Sequence, residues 1–344
     1  MIPDSSETST TRSQRDAPAA IPRRRALALI YRPVPATADA IREVALQAHS
    51  DQSVELLPCS SAEHVADRVR GVADRAVERI LVAGGDGTIR DTVHGLGPDF
   101  PPVELAVLPL GTGNDLARTI GAHVPLARAV RLALEGKAVP ADVGEVAIND
   151  ERRSWFVNVA NGGFGGEVAN RLQRAAKQRW GAFAYWMSTL GTLAHPPRYE
   201  IELSLDDEPP TQREVSGIAI ANGRFLGGGF PVARNARIDD GQLDIVLAPP
   251  MEPREFLRSG MDLAFGRADQ NSAVELSRAT RVELRANSKI PFSVDGDLVD
   301  FRHGVFEVKP GALRVVVGPD ASGLSGEPSV WDEDSTPIGE DPSA

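Results

Sequence analysis

The stretch "ERILVAGGDGTIRDTVHGL", residues 78–96, decides the reading of this chain. Ile80 to Ala83 form a short continuous apolar run, the mark of a strand buried on both faces. Gly84-Gly85-Asp86-Gly87-Thr88 then breaks the run, and a helical period follows from Thr88 to Leu96. Glycine lets the backbone turn freely and approach a ligand closely. The first N–H groups of the following helix point out of its positive end. A strand, a glycine turn and a helix in this order form a cradle suited to phosphate.

Working outward, the same alternation fills residues 26–140. Strand-like runs at 26–31, 54–58, 79–83 and 103–110 alternate with helical stretches at 38–48, 62–77, 88–96, from about 114, and 126–136. Such alternation predicts a parallel sheet covered by helices on both faces. Its ligands belong at the carboxyl ends of the strands. From about residue 141 the pattern changes. Runs at 143–148, 154–160, 199–205, 214–221, 242–248, 281–286, 290–295, 304–308 and 312–317 are separated by turn pairs such as Asp240-Gly241 and Asp295-Gly296. These predict an antiparallel β sandwich, interrupted by helical insertions near 166–194 and 253–265. The expected architecture is α/β plus β. Residues 1–22 are expected to form a disordered tail, 23–141 a phosphate-binding α/β domain, 142–318 a β-rich substrate domain and 319–344 an acidic disordered tail. The crevice between the domains is the place for chemistry.

Composition is that of a globular protein, with 42% hydrophobic and 25% charged residues. The net charge is −11, and residues 319–344 contain seven acids and no Lys or Arg. The chain is acidic and has no basic stripe interleaved with aromatics, so nucleic acid is not the expected partner. No apolar run reaches the ~18 residues of a membrane span, and the first 20 residues lack the apolar core of a signal peptide. The lone cysteine, Cys59, excludes an intramolecular disulfide. The expectation is a cytoplasmic protein whose contact with any lipid is peripheral. Monomer and homodimer both remain open.

A second glycine loop, "PLGTGNDLA" at 109–117, follows the next strand. Two phosphate-suited turns in adjacent strand–helix units carry more weight than one. Together "GGDGT" and "PLGTGND" resemble the bacterial diacylglycerol-kinase-like lipid kinases, including the YegS-like group. The resemblance continues through "FVNVANGGFGGEVA" (156–169), "GAFAYW" (181–186), "IAIANGRFLGGGFPVARNARIDDGQLDIVL" (218–247) and "IPFSVDGDLV" (290–299). NAD kinases share the first motif but not the later set.

That resemblance implies an ATP- and Mg²⁺-dependent kinase that passes the γ-phosphoryl group to a lipid hydroxyl at the membrane surface. The acceptor class would be a diacylglycerol-, phosphatidylglycerol- or sphingoid-type lipid. Gly84, Gly85, Asp86, Gly87, Thr88, Ile89 and Arg90 would line the nucleotide phosphates, with Gly111 and Thr112 contacting the nucleotide from the second loop. Asn114 and Asp115 would complete that loop. Asp297, which ends the Asp295-Gly296-Asp297 segment, would be the proton acceptor. Asp240, with backbone oxygens of Arg237 and Gln242, would hold a structural Mg²⁺. Trp180, Phe183, Tyr185, Trp186 and Met187 would line an apolar lipid cleft or fill a helix core.

The sequence also departs from the family pattern. The loop after the first strand, "IYRPVPATAD" (30–39), has no glycine, and Thr37 is its only aliphatic hydroxyl. Pro58-Cys59 stands where a threonine is usual after the second strand. Arg90-Asp91 replaces the usual Asn-Glu. All three changes fall on the nucleotide side. Two other readings therefore stand beside the lipid kinase: a catalytically impaired lipid- or nucleotide-binding relative, and a soluble-substrate kinase such as an NAD kinase.

Overall fold

The computed structural model describes residues 25–324 except 51, 76, 150, 151, 167–196, 253, 256, 257, 260–273 and 322. The helical insertions near 166–194 and 253–265, with the aromatic stretch Trp180 to Met187, lie largely outside the described residues.

Four strands form the predicted parallel sheet in the order β4 (Glu104–Pro109), β3 (Arg79–Gly84), β1 (Arg25–Tyr31) and β2 (Gln52–Pro58). All three pairings are parallel. Ile80 to Ala83 have no exposed surface, as a strand covered on both faces requires. The helices α1 (Pro35–Gln47), α2 (Ala62–Ala73), α3 (Asp86–Leu96), α4 (Asp115–Thr119) and α5 (Leu126–Glu135) complete this part. Pro35 opens α1 three residues before the predicted start, since its fixed φ suits the first helical position. Arg79 is buried within the sheet at 2% exposure, yet it is fully partnered. It donates to Glu104 at 2.6 and 2.8 Å and to the carbonyls of Ala133 and Gly136 at 2.7 and 2.8 Å. Those bonds tie β3 to β4 and to the end of α5, and they offset the desolvation of the guanidinium.

The antiparallel part contains β5 (Ala138–Ile148), β6 (Arg152–Phe156), β7 (Val159–Gly163), β8 (Tyr199–Leu205), β9 (Thr211–Val215), β10 (Gly217–Ala221), β11 (Leu243–Ala248), β12 (Glu275–Ala279), β13 (Arg281–Val294) and β14 (Asp297–Val316). Its core is built around Phe156, Phe292, Phe301 and Phe306, with Phe292 stacked on Phe301 at 4.4 Å between ring centroids. The two runs predicted at 281–286 and 290–295 are one strand, β13, whose pairing with β14 slips between Arg285 and Ile290. A bulge breaks the period-2 pattern without ending the strand. The runs at 304–308 and 312–317 likewise merge into β14, with a shift between Lys309 and Leu313. The run at 154–160 divides instead, at Val157-Asn158 between β6 and β7.

The two parts share one hydrogen-bonded sheet. The end of β14 pairs in parallel with the start of β4, through Arg314 with Glu104 and Val315 with Leu105. Beyond it the chain docks on α4: Gly323 N donates to Thr119 O at 3.2 Å, and Ile238 N donates to Gly323 O at 2.9 Å. This continuous sheet holds the β-rich part against the loops at the carboxyl ends of β3 and β4.

Candidate active site

The two glycine loops lie against each other. A side chain added at Gly111 would come within 2.5 Å of Gly85 Cα, and one at Gly113 within 2.4 Å of Asp86 Oδ2. At these positions loop-on-loop packing by itself requires glycine. Gly87 differs: it is exposed at the start of α3, and an added Cβ would meet nothing within 4 Å. Thr112 is also exposed, at the tip of the second loop. Thr88 is buried, and the side chain of Ile89 lies wholly within the core. A contact from Ile89 to a nucleotide would have to come from its backbone, whose N–H already donates to Gly85 O at 3.1 Å.

Asp86 aims at the second loop. Its Oδ2 accepts from Asn114 N at 2.8 Å and its Oδ1 from Asp115 N at 2.7 Å. Asn114 adopts the left-handed conformation at φ 55°, which asparagine tolerates better than most residues. It bridges Gly111 with both ends of its amide, accepting from Gly111 N at 3.0 Å and donating to Gly111 O at 2.8 Å. Asp115 then reaches the β-rich part, accepting from Gly228 N and from Gly229 N at 2.6 Å. Gly227, Gly228 and Gly229 all have positive φ. Successive residues of this kind turn their N–H groups into an anion nest, and here a carboxylate fills it.

These carboxyls are costly to ionise. Burial pushes Asp86 above the usual carboxylate range, against the backbone donors that favour its charged form. Burial and then the charge of Asp86 push Asp115 up to about 6. Asp295 behaves similarly. It accepts from the N–H groups of Val157, Asn158 and Val159, at 2.8, 3.1 and 3.0 Å, yet burial pushes it up to about 7. Asp295 thus holds the break between β6 and β7 in place.

Asp297, two residues on, is oriented differently. Its side chain is 39% exposed and accepts from Arg90 Nη1 at 2.7 Å. Arg90 lies in the first turns of α3, so a single side chain joins the phosphate-suited helix end to the late acid of β14. The opposite edge of the guanidinium rests on Asp91, with Nη2 at 2.8 Å and Nε at 3.2 Å from Oδ1. Asp91 Oδ2 in turn accepts from Arg32 at 2.8 Å. Arg32 belongs to the altered first loop. Thr37, the hydroxyl of that loop, is buried and spent on capping, since it donates to Arg32 O or Val34 O and accepts from Val34 N. Behind Arg90, His94 is held below its usual value chiefly by burial, so its ring is neutral near pH 7, with Nε2 at 3.1 Å from Trp155 O.

The Asp240 turn stands apart. Asp240 Oδ1 accepts from Gln242 N at 3.1 Å, and Oδ2 lies 3.8 Å from Arg278, beyond hydrogen-bond length. Arg237 is exposed. Asp142 supports the turn from below, accepting from Gly241 N and Gly311 N at 2.7 Å each. Burial, reinforced by the charges of Asp240 and Asp239, raises Asp142. A hard cation would relieve that crowding. Among the described residues no three His, Cys, Asp or Glu side chains converge on one point. The side-chain oxygen donor at this turn is the Asp240 carboxylate, and any further donors to a cation would have to be main-chain oxygens.

Sequence reasoning named Asp86, Asp115 and Asp297 as candidates, together with Arg90 and Asn114, but not the contacts that join them. It passed over Asp295, Arg32 and Arg118. Arg118 donates from Nε to Gly113 O at 3.0 Å and flanks Gly229. A basic residue one turn into a helix that follows a glycine loop was the available signal.

Two family descriptions match the chain. Residues 33–146 match the diacylglycerol kinase catalytic domain, and residues 158–317 match the YegS C-terminal NAD kinase beta sandwich-like domain. A Pseudomonas aeruginosa protein described as "Probable lipid kinase YegS-like" is 34% identical over 75% of this chain and 85% of its own length. A Shigella flexneri protein described as "Probable lipid kinase YegS" is 30% identical over 71% of this chain and 79% of its own length. Among solved structures, a diacylglycerol kinase from Bacillus anthracis str. Sterne covers 86% of this chain and 97% of its own, with a TM-score of 0.61 at 20% identity, a likeness of fold.

Proposed function

The chain belongs to the YegS-like lipid kinases of diacylglycerol-kinase type, and from that premise we propose that it transfers the γ-phosphoryl group of ATP, with Mg²⁺, to the hydroxyl of a diacylglycerol-, phosphatidylglycerol- or sphingoid-type lipid. The observation that carries this reading is the 2.7 Å contact between Arg90 and Asp297. It sets an acid from β14 beside the helix that begins at the first glycine loop. Phosphoryl transfer asks a protein mainly to position its reactants and neutralise charge.

The positive end of α3 receives the phosphates, with Gly87 offering close approach and Arg90 a guanidinium. Thr112 contacts the nucleotide from the second loop. Asp86, Asn114 and Asp115 shape that loop and fasten it to Gly228 and Gly229. Asp297 accepts the proton of the lipid hydroxyl as its oxygen bonds to the γ-phosphorus and the bond to the ADP oxygen breaks. Bound Mg²⁺ screens the charge of the triphosphate. A second Mg²⁺ would be held by Asp240 with the carbonyls of Arg237 and Gln242, bracing the turn that Asp142 supports. No helix among the described residues is long and apolar enough to cross a membrane. The lipid is met by peripheral contact with a membrane surface.

The test is incubation with γ-labelled ATP and Mg²⁺ against a panel of diacylglycerol, phosphatidylglycerol, ceramide and sphingosine in mixed micelles, with NAD as a parallel acceptor. Label in the organic phase with at least one lipid is expected. Label in NAD alone, or in no acceptor with folded protein, would overturn the assignment.

A further inference from the structure

Arg90 has two possible partners in the cleft, and its surroundings let it exchange them. Nε and Nη2 both lie on Asp91 Oδ1, and Asp91 is fixed from its other oxygen by Arg32. This bidentate hold anchors the base of the guanidinium. Nη1, at the far corner, is left for Asp297. Arg90 is 17% exposed and Asp91 5%, so the anchor is sheltered, whereas Asp297 at 39% is open to the cleft. The charges alternate along the row: Arg32 positive, Asp91 negative, Arg90 positive, Asp297 negative. Arg90 also lies one turn from the start of α3, within reach of an anion at that helix end.

We propose that Arg90 is a positioning residue that passes between two anions: it engages either Asp297 or the nucleotide polyphosphate, and the polyphosphate's claim on Nη1 releases the Asp297 carboxylate to the lipid hydroxyl. The inference rests on the kinase reading above. While Nη1 holds Asp297 Oδ1, one lone pair of that oxygen is occupied and the carboxylate is turned toward α3. A polyphosphate at α3 carries more charge than a single carboxylate and also gains the helix end. Only Nη1 has to change partner, because Asp91 keeps the rest of the guanidinium still. The device couples the proton acceptor to nucleotide occupancy.

The two anions compete for the charge and orientation of one guanidinium corner, so the prediction is thermodynamic and needs no turnover. ATP affinity is measured by titration calorimetry with Mg²⁺ for wild type, Asp297→Asn, Arg90→Asn and the double variant. Removing Asp297 should tighten ATP binding about three- to tenfold, since Arg90 no longer has to leave a carboxylate. Arg90→Asn should weaken it about tenfold or more. In the Arg90→Asn background, Asp297→Asn should change affinity less than about twofold. Equal tightening in both backgrounds would mean general repulsion between Asp297 and phosphate, and would overturn the exchange. So would an Arg90→Asn variant that binds ATP as wild type does, or an Asp297→Asn variant that binds no more tightly than wild type. Failure of folded wild type to bind ATP at all would overturn both this inference and the kinase reading. Normal binding without coupling would overturn the inference alone.

Discussion

Asp115 gives the sharpest quantitative handle on how the two glycine loops are held. Its carboxyl lies in the Gly228–Gly229 nest but is pushed to about 6 by burial and by Asp86. The ordinary value is 3.8. The folded protein therefore binds this proton more tightly than the unfolded chain does. The group stabilises the fold most while protonated, below the unfolded value. Stability is lost as pH rises through the window from about 4 to about 6, and the loss corresponds to about 3 kcal/mol. Asparagine is the matching probe. One amide oxygen can accept from both Gly228 and Gly229, because Oδ1 alone already lies 3.1 and 2.6 Å from their nitrogens. Asp115→Asn should keep the loop and remove the titration.

The assay is urea unfolding of wild type and Asp115→Asn across pH 4 to 7.5 in EDTA. Other shifted carboxyls contribute to each curve, and the subtraction removes most of their effect. The advantage of wild type over the variant should shrink by about 2 kcal/mol between pH 4 and pH 7, leaving the variant equal or more stable at the upper end. A difference that stays constant with pH, or grows as pH rises, would refute the claim that burial and Asp86 make this charge costly.

Gly113→Ala should destabilise the fold by about 1–3 kcal/mol, because its Cβ would strike Asp86 Oδ2. Gly87→Ala meets no protein atom and should leave the melting temperature nearly unchanged while raising the KM for ATP; thermal melts and steady-state kinetics read both. Asp295→Ala abandons three backbone donors and should cost about 3–5 kcal/mol in urea unfolding, whereas Asp297→Ala should cost less than about 1. Asp240→Asn should remove any Mg²⁺-dependent rise in melting temperature without changing the melting temperature measured in EDTA by more than a few degrees.

The parallel half of the fold was legible because its signals are local. Four buried residues, Ile80 to Ala83, announce a strand, and glycine then announces the turn. The β-rich half was read as strands with misplaced ends, because the bulge between Arg285 and Ile290 and the break at Val157-Asn158 depend on partners elsewhere in the chain. The site shows the same division. Gly85 and Gly111 invited a reading as phosphate glycines, yet each also makes room for the other across 26 positions. Asp295 and Asp297 look alike in sequence. Only the fold separates them, one carboxyl turned under the backbone of 157–159 and the other out toward Arg90. The departure at Arg90-Asp91 was visible, but its meaning required β14, some 200 residues later, to be brought beside α3.

The most direct measurement is the rate at which Asp297→Asn transfers label from ATP to the best acceptor of the lipid panel, at saturating nucleotide, beside wild type. If Asp297 accepts the hydroxyl proton, the rate should fall about a hundredfold or more, while the variant melts as wild type does and binds ATP at least as tightly. Transfer at the wild-type rate by that variant would contradict the account.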